Sequence, residues 1–202
     1  MTSSDFAKGV EEACESALVD AGFKKLRKGR VVYEISSDFF GWVGLNKGVH
    51  GDMLRINPFV GVHAIAVMKL CAQLENVKYV KGEYATYAIH LGQILPDAST
   101  FEFRVGESYF EESRRLANCL AQRGLEYMIS IADFDGLLPL IEARIPMLGG
   151  YPERYACMLY LCGKRVQARR FVSNVMNLEG DLARISNDSF ATFADNFLKL
   201  PT

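Results

Sequence analysis

The chain has 202 residues, 50% apolar and 23% charged, with 23 basic against 24 acidic side chains and a formal charge of −1. A chain of this length hides roughly 70% of its unfolded surface in a core, which excludes a disordered or fibrous protein. The charge balance holds on both sides of Gly106, with 12 basic and 12 acidic side chains up to it and 11 and 12 beyond, which excludes nucleic-acid binding by bulk charge.

Ser3 or Ser4 is placed to cap a first helix whose apolar face is Phe6, Val10, Cys14, Ala17, Leu18 and Ala21, with Gly22 as its C-terminal stop. A basic stretch follows: Lys24, Lys25, Arg27, Lys28 and Arg30, with Gly29 as a turn. It reads as a solvated connection into a strand over Arg30–Ser36, which is rich in β-branched and aromatic residues. Two further strands are predicted over Phe39–Asn46 and Met53–Val62, joined by a loose glycine-containing loop through Gly48 and Gly51. Pro58 cannot donate to a ladder, so the third strand is expected at an edge or bulged there, and Gly61 adds to the case for a local distortion. A helix over Ala64–Glu75 has Ala64, Val67, Met68, Cys71 and Leu74 on one face. Tyr84–Leu91 is a fourth strand. Thr100–Val105 is a fifth, with Phe101, Phe103 and Val105 alternating against Glu102 and Arg104.

After Gly106 the pattern becomes helical. Ser108 with Glu111 three residues on is a capping-box pattern, opening a helix lined by Phe110, Ser113, Ala117 and Leu120, bordered by Leu116 and closed by Gly124. One or two short helices are predicted within Leu125–Ala143. A loop through Pro146, Gly149, Gly150 and Pro152 is the best internal boundary. Arg154–Leu161 and Val166–Met176 are two helices turning at Gly163, similar to one hairpin of a tetratricopeptide-type repeat. A last helix runs over Asp188–Leu198. One hairpin is not an array, since about three repeats are needed for a solenoid. It reads as a packing hairpin that caps the sheet.

The residues that could carry chemistry are dispersed. The five cysteines, Cys14, Cys71, Cys119, Cys157 and Cys162, show no CxxC pair, and four of them sit in apolar helical patterns, as buried reduced thiols do. His50, His63 and His90 form no short metal-binding spacing. The carboxylate pairs Glu111/Glu112 and Asp133/Asp135 fall at helix starts, where acids favour the helix dipole. Gly41 to Gly48 fits neither phosphate-binding glycine pattern. No cofactor and no metal are expected. Phe39 and Trp42 stand out on a strand whose two faces both carry apolar groups, so the strand is either buried on both sides or offers one face to a partner.

Gly22-Phe23-Lys24-Lys25 after a first helix, the strand Val31–Ile35, Val43-Gly44-Leu45-Asn46-Lys47, and Ile56-Asn57-Pro58-Phe59-Val60-Gly61-Val62 entering a helix occur in an order that resembles small uncharacterised bacterial α+β proteins. Some of these look like immunity proteins encoded beside secreted toxins. The likeness covers about residues 5–135 and offers no catalytic residue.

The expected fold is α+β: an antiparallel sheet of about five strands over residues 1–106, packed on helices, with an all-helical half over 107–202 packed on it as one continuous domain. The expected function is non-enzymatic protein binding, most concretely an immunity protein that neutralises a cognate toxin domain by direct contact. Phe39, Trp42, Asn46 and His63 are the candidate contact residues. The alternative is a small-molecule binder or small enzyme with a site near His63, His90 and Pro58. A third option is a scaffold or regulator using the C-terminal hairpin as a peptide groove. Acids near the N-terminus, where a signal peptide needs a basic and then an apolar region, and the lack of an apolar run of ~18–20 residues, point to a cytoplasmic protein with neither nucleic acid nor membrane as partner.

Overall fold

The computed structural model describes residues 3–26, 30–147, 150–177 and 188–201. Helix α1 (Ser3–Asp20) forms where the apolar residues recur at helical spacing, and Phe6, Val10, Cys14 and Leu18 are all buried. Its end is a Schellman motif. Gly22, at φ +95°, donates its N–H to the Val19 carbonyl (3.0 Å), and Phe23 donates to the Leu18 carbonyl (3.0 Å).

The sheet is antiparallel, with strands β1 (Lys24–Lys25), β2 (Val31–Glu34), β3 (Phe39–His50), β4 (Met53–Ala64), β5 (Tyr87–His90) and β6 (Phe101–Arg104). Its order is β1-β2-β3-β4, and both β5 and β6 pair with β4. The basic stretch is largely neutralised. Lys25 pairs with Glu15 (2.5 Å), Lys24 with Glu34 (2.5 Å) and Arg30 with Glu83 (2.7 Å), while Arg27, Lys28 and the turn at Gly29 lie outside the described residues.

Two expectations about β3 and β4 change. The predicted loose loop is a two-residue turn, because β3 runs on to His50 and only Gly51, at φ +63°, and Asp52 connect the strands. Nor is β4 an edge strand at Pro58. Its first half pairs with β6 (Met53↔Arg104 to Ile56↔Phe101) and its second with β5 (Phe59↔His90 to Val62↔Tyr87). Pro58 falls in the gap between the two partners, where a missing N–H breaks no ladder bond on that side. The segment Leu91–Thr100 loops out there, and Thr100 Oγ1 donates to Asn57 Oδ1 at 2.9 Å.

After Arg104 every described element is helical: α3 (Phe110–Cys119), α4 (Leu125–Ser130), α5 (Phe134–Arg144), α6 (Pro152–Leu161), α7 (Arg165–Met176) and α8 (Asp188–Phe197). With α2 (Ile65–Leu74), these belong to two compact units, each built from two stretches of chain: Met1–His63 with Gly82–Ala132, and Ala64–Lys81 with Asp133–Thr202. Gly106 lies inside the first unit, since α3 packs on α1 and β6 and α4 on β3.

In the first unit, the buried residues Leu54, Ile56, Val60, Val62, Phe101 and Phe103 form the apolar face of the sheet. Tyr109 wedges between Phe6 (ring centroids 5.8 Å) and Phe103 (6.4 Å). The predicted capping box does not form. Tyr109 takes the cap position, and Ser108 Oγ accepts from Phe110 N instead (3.4 Å). Gly124 does not close the helix either, for α3 continues through a π-helical turn, Leu120–Gly124, into α4. Arg115 fastens α3 to β6: it grips Glu112 through two bonds (2.8 and 2.7 Å), donates to the Thr100 carbonyl (3.3 Å) and stacks on Phe101 (4.3 Å).

Glu112 also accepts from Glu102 N (3.1 Å), and the Arg115 hydrogen bonds hold its carboxyl below the usual glutamate range. A lowered folded-state value stabilises above the unfolded value and is lost as pH falls through the folded one. Glu112→Gln is therefore expected to cost up to about 1 kcal/mol at neutral pH. The gap to the parent should close as pH falls below the ordinary value of 4.5, read from urea midpoints across the pH range.

In the second unit α6 packs on α5, α7 and α2, and α8 packs on α7 and α2. Asp133, an acid at a helix start, caps α5 by accepting from Gly136 N at 2.6 Å. The α6–α7 hairpin turns at Gly163, at φ +76°. Of the predicted boundary loop, Gly149 lies outside the described residues.

Candidate functional site

Helices α1 and α3 meet along small residues. Ala13 and Ala17 on α1 and Ala21 just past its end recur every fourth position, and Ser113 and Ala117 do so on α3. Small side chains leave the floor low, and a groove of about 590 Å³ opens between the two helices. Ser16 and Asp20 form one bank, and Phe110, Arg114 and Asn118, again every fourth residue, form the other. Phe110 is 60% exposed, and the Arg114 guanidinium sits 5.2 Å from its ring centroid. Ser113 Oγ donates to the Tyr109 carbonyl (2.6 Å) with a second acceptor at the Phe110 carbonyl (3.1 Å), so this hydroxyl is committed to its own helix. The groove offers shape, an aromatic ring and one charge of each sign.

The sequence pattern puts Phe110 on the inner face of α3, and the structure turns it outward. Tyr109 already fills the inner position against Phe6 and Phe103, which leaves no room for a second ring. The signal available in the sequence was the alanine row, which runs beside the larger apolar stripe of Val10, Cys14 and Leu18.

The residues singled out from the sequence do not converge. Phe39 is 9% exposed and His63 1%, so neither presents surface. His63 bridges two backbone stretches: Nδ1 donates to the Tyr84 carbonyl at 2.7 Å, Nε2 receives the Gly82 N–H at 3.5 Å, and Phe40 lies against its ring (6.5 Å between centroids). This arrangement calls for the neutral ring with its proton on Nδ1. His90 accepts the Gly92 N–H on Nδ1 (3.1 Å) and meets Phe59 edge-on (5.3 Å). It pairs with Phe59, four residues before His63, or about 13 Å along the strand, so the two imidazoles face no common space. Trp42 is half-buried opposite Val32, its ring laid over Gly44, where any β-carbon would collide with it. Asn46 is exposed, beside the Lys47–Glu11 ion pair (2.6 Å). The question of which face of β3 is open has a local answer. Phe39, Phe40 and Val43 are all buried, and exposure begins only beyond Leu45.

Among the described residues no group of three or more His, Cys, Asp or Glu side chains could hold a metal ion, and no helix is long and apolar enough to cross a membrane. The chain matches no family model, no curated protein and no solved structure.

Proposed function

We propose that the chain is a non-enzymatic binding protein that works by covering a second protein. In its most concrete form it is a cytoplasmic immunity protein that neutralises a cognate bacterial toxin domain by direct contact. The observation that carries this reading is the α1/α3 groove, with an exposed Phe110 stacked by Arg114 above an alanine floor. Aromatic and arginine side chains are the usual anchors of protein interfaces, and a low floor lets an apolar side chain of the partner seat deeply. A stable complex buries about 1,600 Å² in all, so the groove supplies the centre of such a contact. Neighbouring exposed residues supply its rim. Trp42 and Asn46 on β3 form a second candidate patch, and Asn46 is the more accessible of the two.

The test is co-expression with the product of the adjacent gene, followed by calorimetric titration of the purified pair. A complex in the nanomolar range and protection of the host cell are expected. Ala17→Trp, which fills the groove, should abolish both, and Phe110→Ala should weaken binding by about thirtyfold. A failure of the unaltered pair to associate or protect would refute the reading. Binding that ignores both groove substitutions but responds to Trp42→Ala or Asn46→Ala would place the contact on β3.

A further inference from the structure

In the second unit, Cys71 on α2 and Cys157 on α6 are 86 residues apart in sequence, yet their sulfur atoms lie 3.4 Å from each other. Both are free thiols, 4% and 0% exposed. A disulfide needs the sulfurs at about 2.05 Å, so closing the bond takes a movement of just over an ångström between two helices that already pack together. Charged groups flank the pair on both helices. Glu75 follows Cys71 by one helical turn, and Glu153 precedes Cys157 by one. Both carboxylates act on Cys157, and the Arg154 guanidinium, stacked on Tyr151 at 3.5 Å, interacts with Cys71 and with both carboxylates.

We propose that Cys71 and Cys157 form an oxidative modification site, a dithiol that a small peroxide converts into a disulfide joining α2 to α6. Burial first, then the adjacent Cys71 sulfur, and after these the two carboxylates, push the Cys157 thiol well above its ordinary value, so it keeps its proton. Cys71, the less buried of the two at 4% against 0%, is the thiol that meets the peroxide and attacks. Its sulfur takes one peroxide oxygen as the O–O bond breaks, giving a sulfenic acid, and the departing hydroxide takes up the Cys71 proton to leave as water. The Cys157 sulfur then displaces the hydroxyl from Cys71, the S–O bond breaks, and the Cys157 proton leaves with that hydroxyl as a second water. The thiol pair loses two electrons and two hydrogens, and the peroxide is reduced to water. The burial of both sulfurs favours a small oxidant over a bulky disulfide. Cys14 is equally buried but lies in the first unit, and its thiol is pushed up to about 12 by burial, which makes it an internal control.

The test exposes the reduced, folded chain to hydrogen peroxide, unfolds it in an alkylating agent and maps the peptides by mass spectrometry. The Cys71–Cys157 peptide should be the dominant cross-link, with Cys14 alkylated and the link reversed by dithiothreitol. Cys71→Ser and Cys157→Ser should each remove it. Protein oxidised in strong urea should instead scatter its links over the available pairings. Cys71 and Cys157 staying fully alkylatable while the half-buried Cys119 and Cys162 are oxidised would overturn the proposal, as would links that favour any other pair in the folded chain.

Discussion

Replacing Gly61 by valine is expected to destabilise the first unit by about 3 kcal/mol, at the upper end of the cost of overpacking. Gly61 pairs with Ala88 across β4 and β5. A β-carbon at Gly61 would run into the Tyr87 carbonyl oxygen and lie 2.6 Å from Ala88 Cα. Both obstacles are backbone, so no side-chain rotation relieves them, and β5 must shift off β4. The four pairs from Phe59↔His90 to Val62↔Tyr87 are at stake. Gly22→Ala is the comparison. Gly22 sits at φ +95° with nothing within 4 Å of an added β-carbon, so alanine costs only the left-handed conformation, about 1 kcal/mol. Urea midpoints at unchanged m-value should rank the two variants in that order. Equal losses would mean that backbone conformation, and not the approach of β5, accounts for the glycine at position 61.

The same strand shows how far the sequence could be read. The alternation of Phe101 and Phe103 against Glu102 and Arg104 holds as buried and exposed positions of β6, because the pattern is local and one side of the strand faces solvent, whereas Val105, expected on the apolar side, lies past the strand and is exposed. The stop at Gly22 is legible for the same reason, since a helix C-terminus is decided within a few residues. Pro58 interrupts a ladder as its missing N–H requires, but the edge-strand alternative does not hold, because β4 is paired on either side of it. Nothing near it in sequence reveals that β5 and β6 lie end to end along β4 and leave a gap between them. The division into units was hidden in a similar way. α2 is continuous with β4 in sequence, but its partners α6 and α8 come from the far end of the chain. The candidate groove was half visible. Ala17 and Ala21 stand in the predicted face of the first helix and Ala13 does not, while the outward turn of Phe110 depends on Tyr109 occupying the space between Phe6 and Phe103, a contact among three separate segments. The Cys71–Cys157 approach had no local signal at all.

Phe193→Ala is expected to cost the second unit about 3–5 kcal/mol, the usual range for removing a fully buried ring. Phe190, Phe193 and Phe197 stack along α8 with centroids 5.7 and 5.6 Å apart, and all three are fully buried. The helix is also pinned at its C-terminal end. Arg169 donates to the carbonyls of Leu198 (2.6 Å) and Leu200 (2.9 Å), and Asn196 donates to the Leu74 carbonyl on α2 (2.8 Å). Those bonds hold the backbone around the missing ring, so the site cannot collapse easily and the cavity term stays large. The same truncation at the exposed Phe110 should change stability by no more than about 0.5 kcal/mol. Phe193→Ala should then shift the urea midpoint while its folded fraction keeps full affinity for the partner, and Phe110→Ala should do the reverse. A Phe110→Ala protein that unfolds as easily as Phe193→Ala would show that this ring is a packing residue, and the α1/α3 groove would lose the anchor on which its assignment as a contact surface depends.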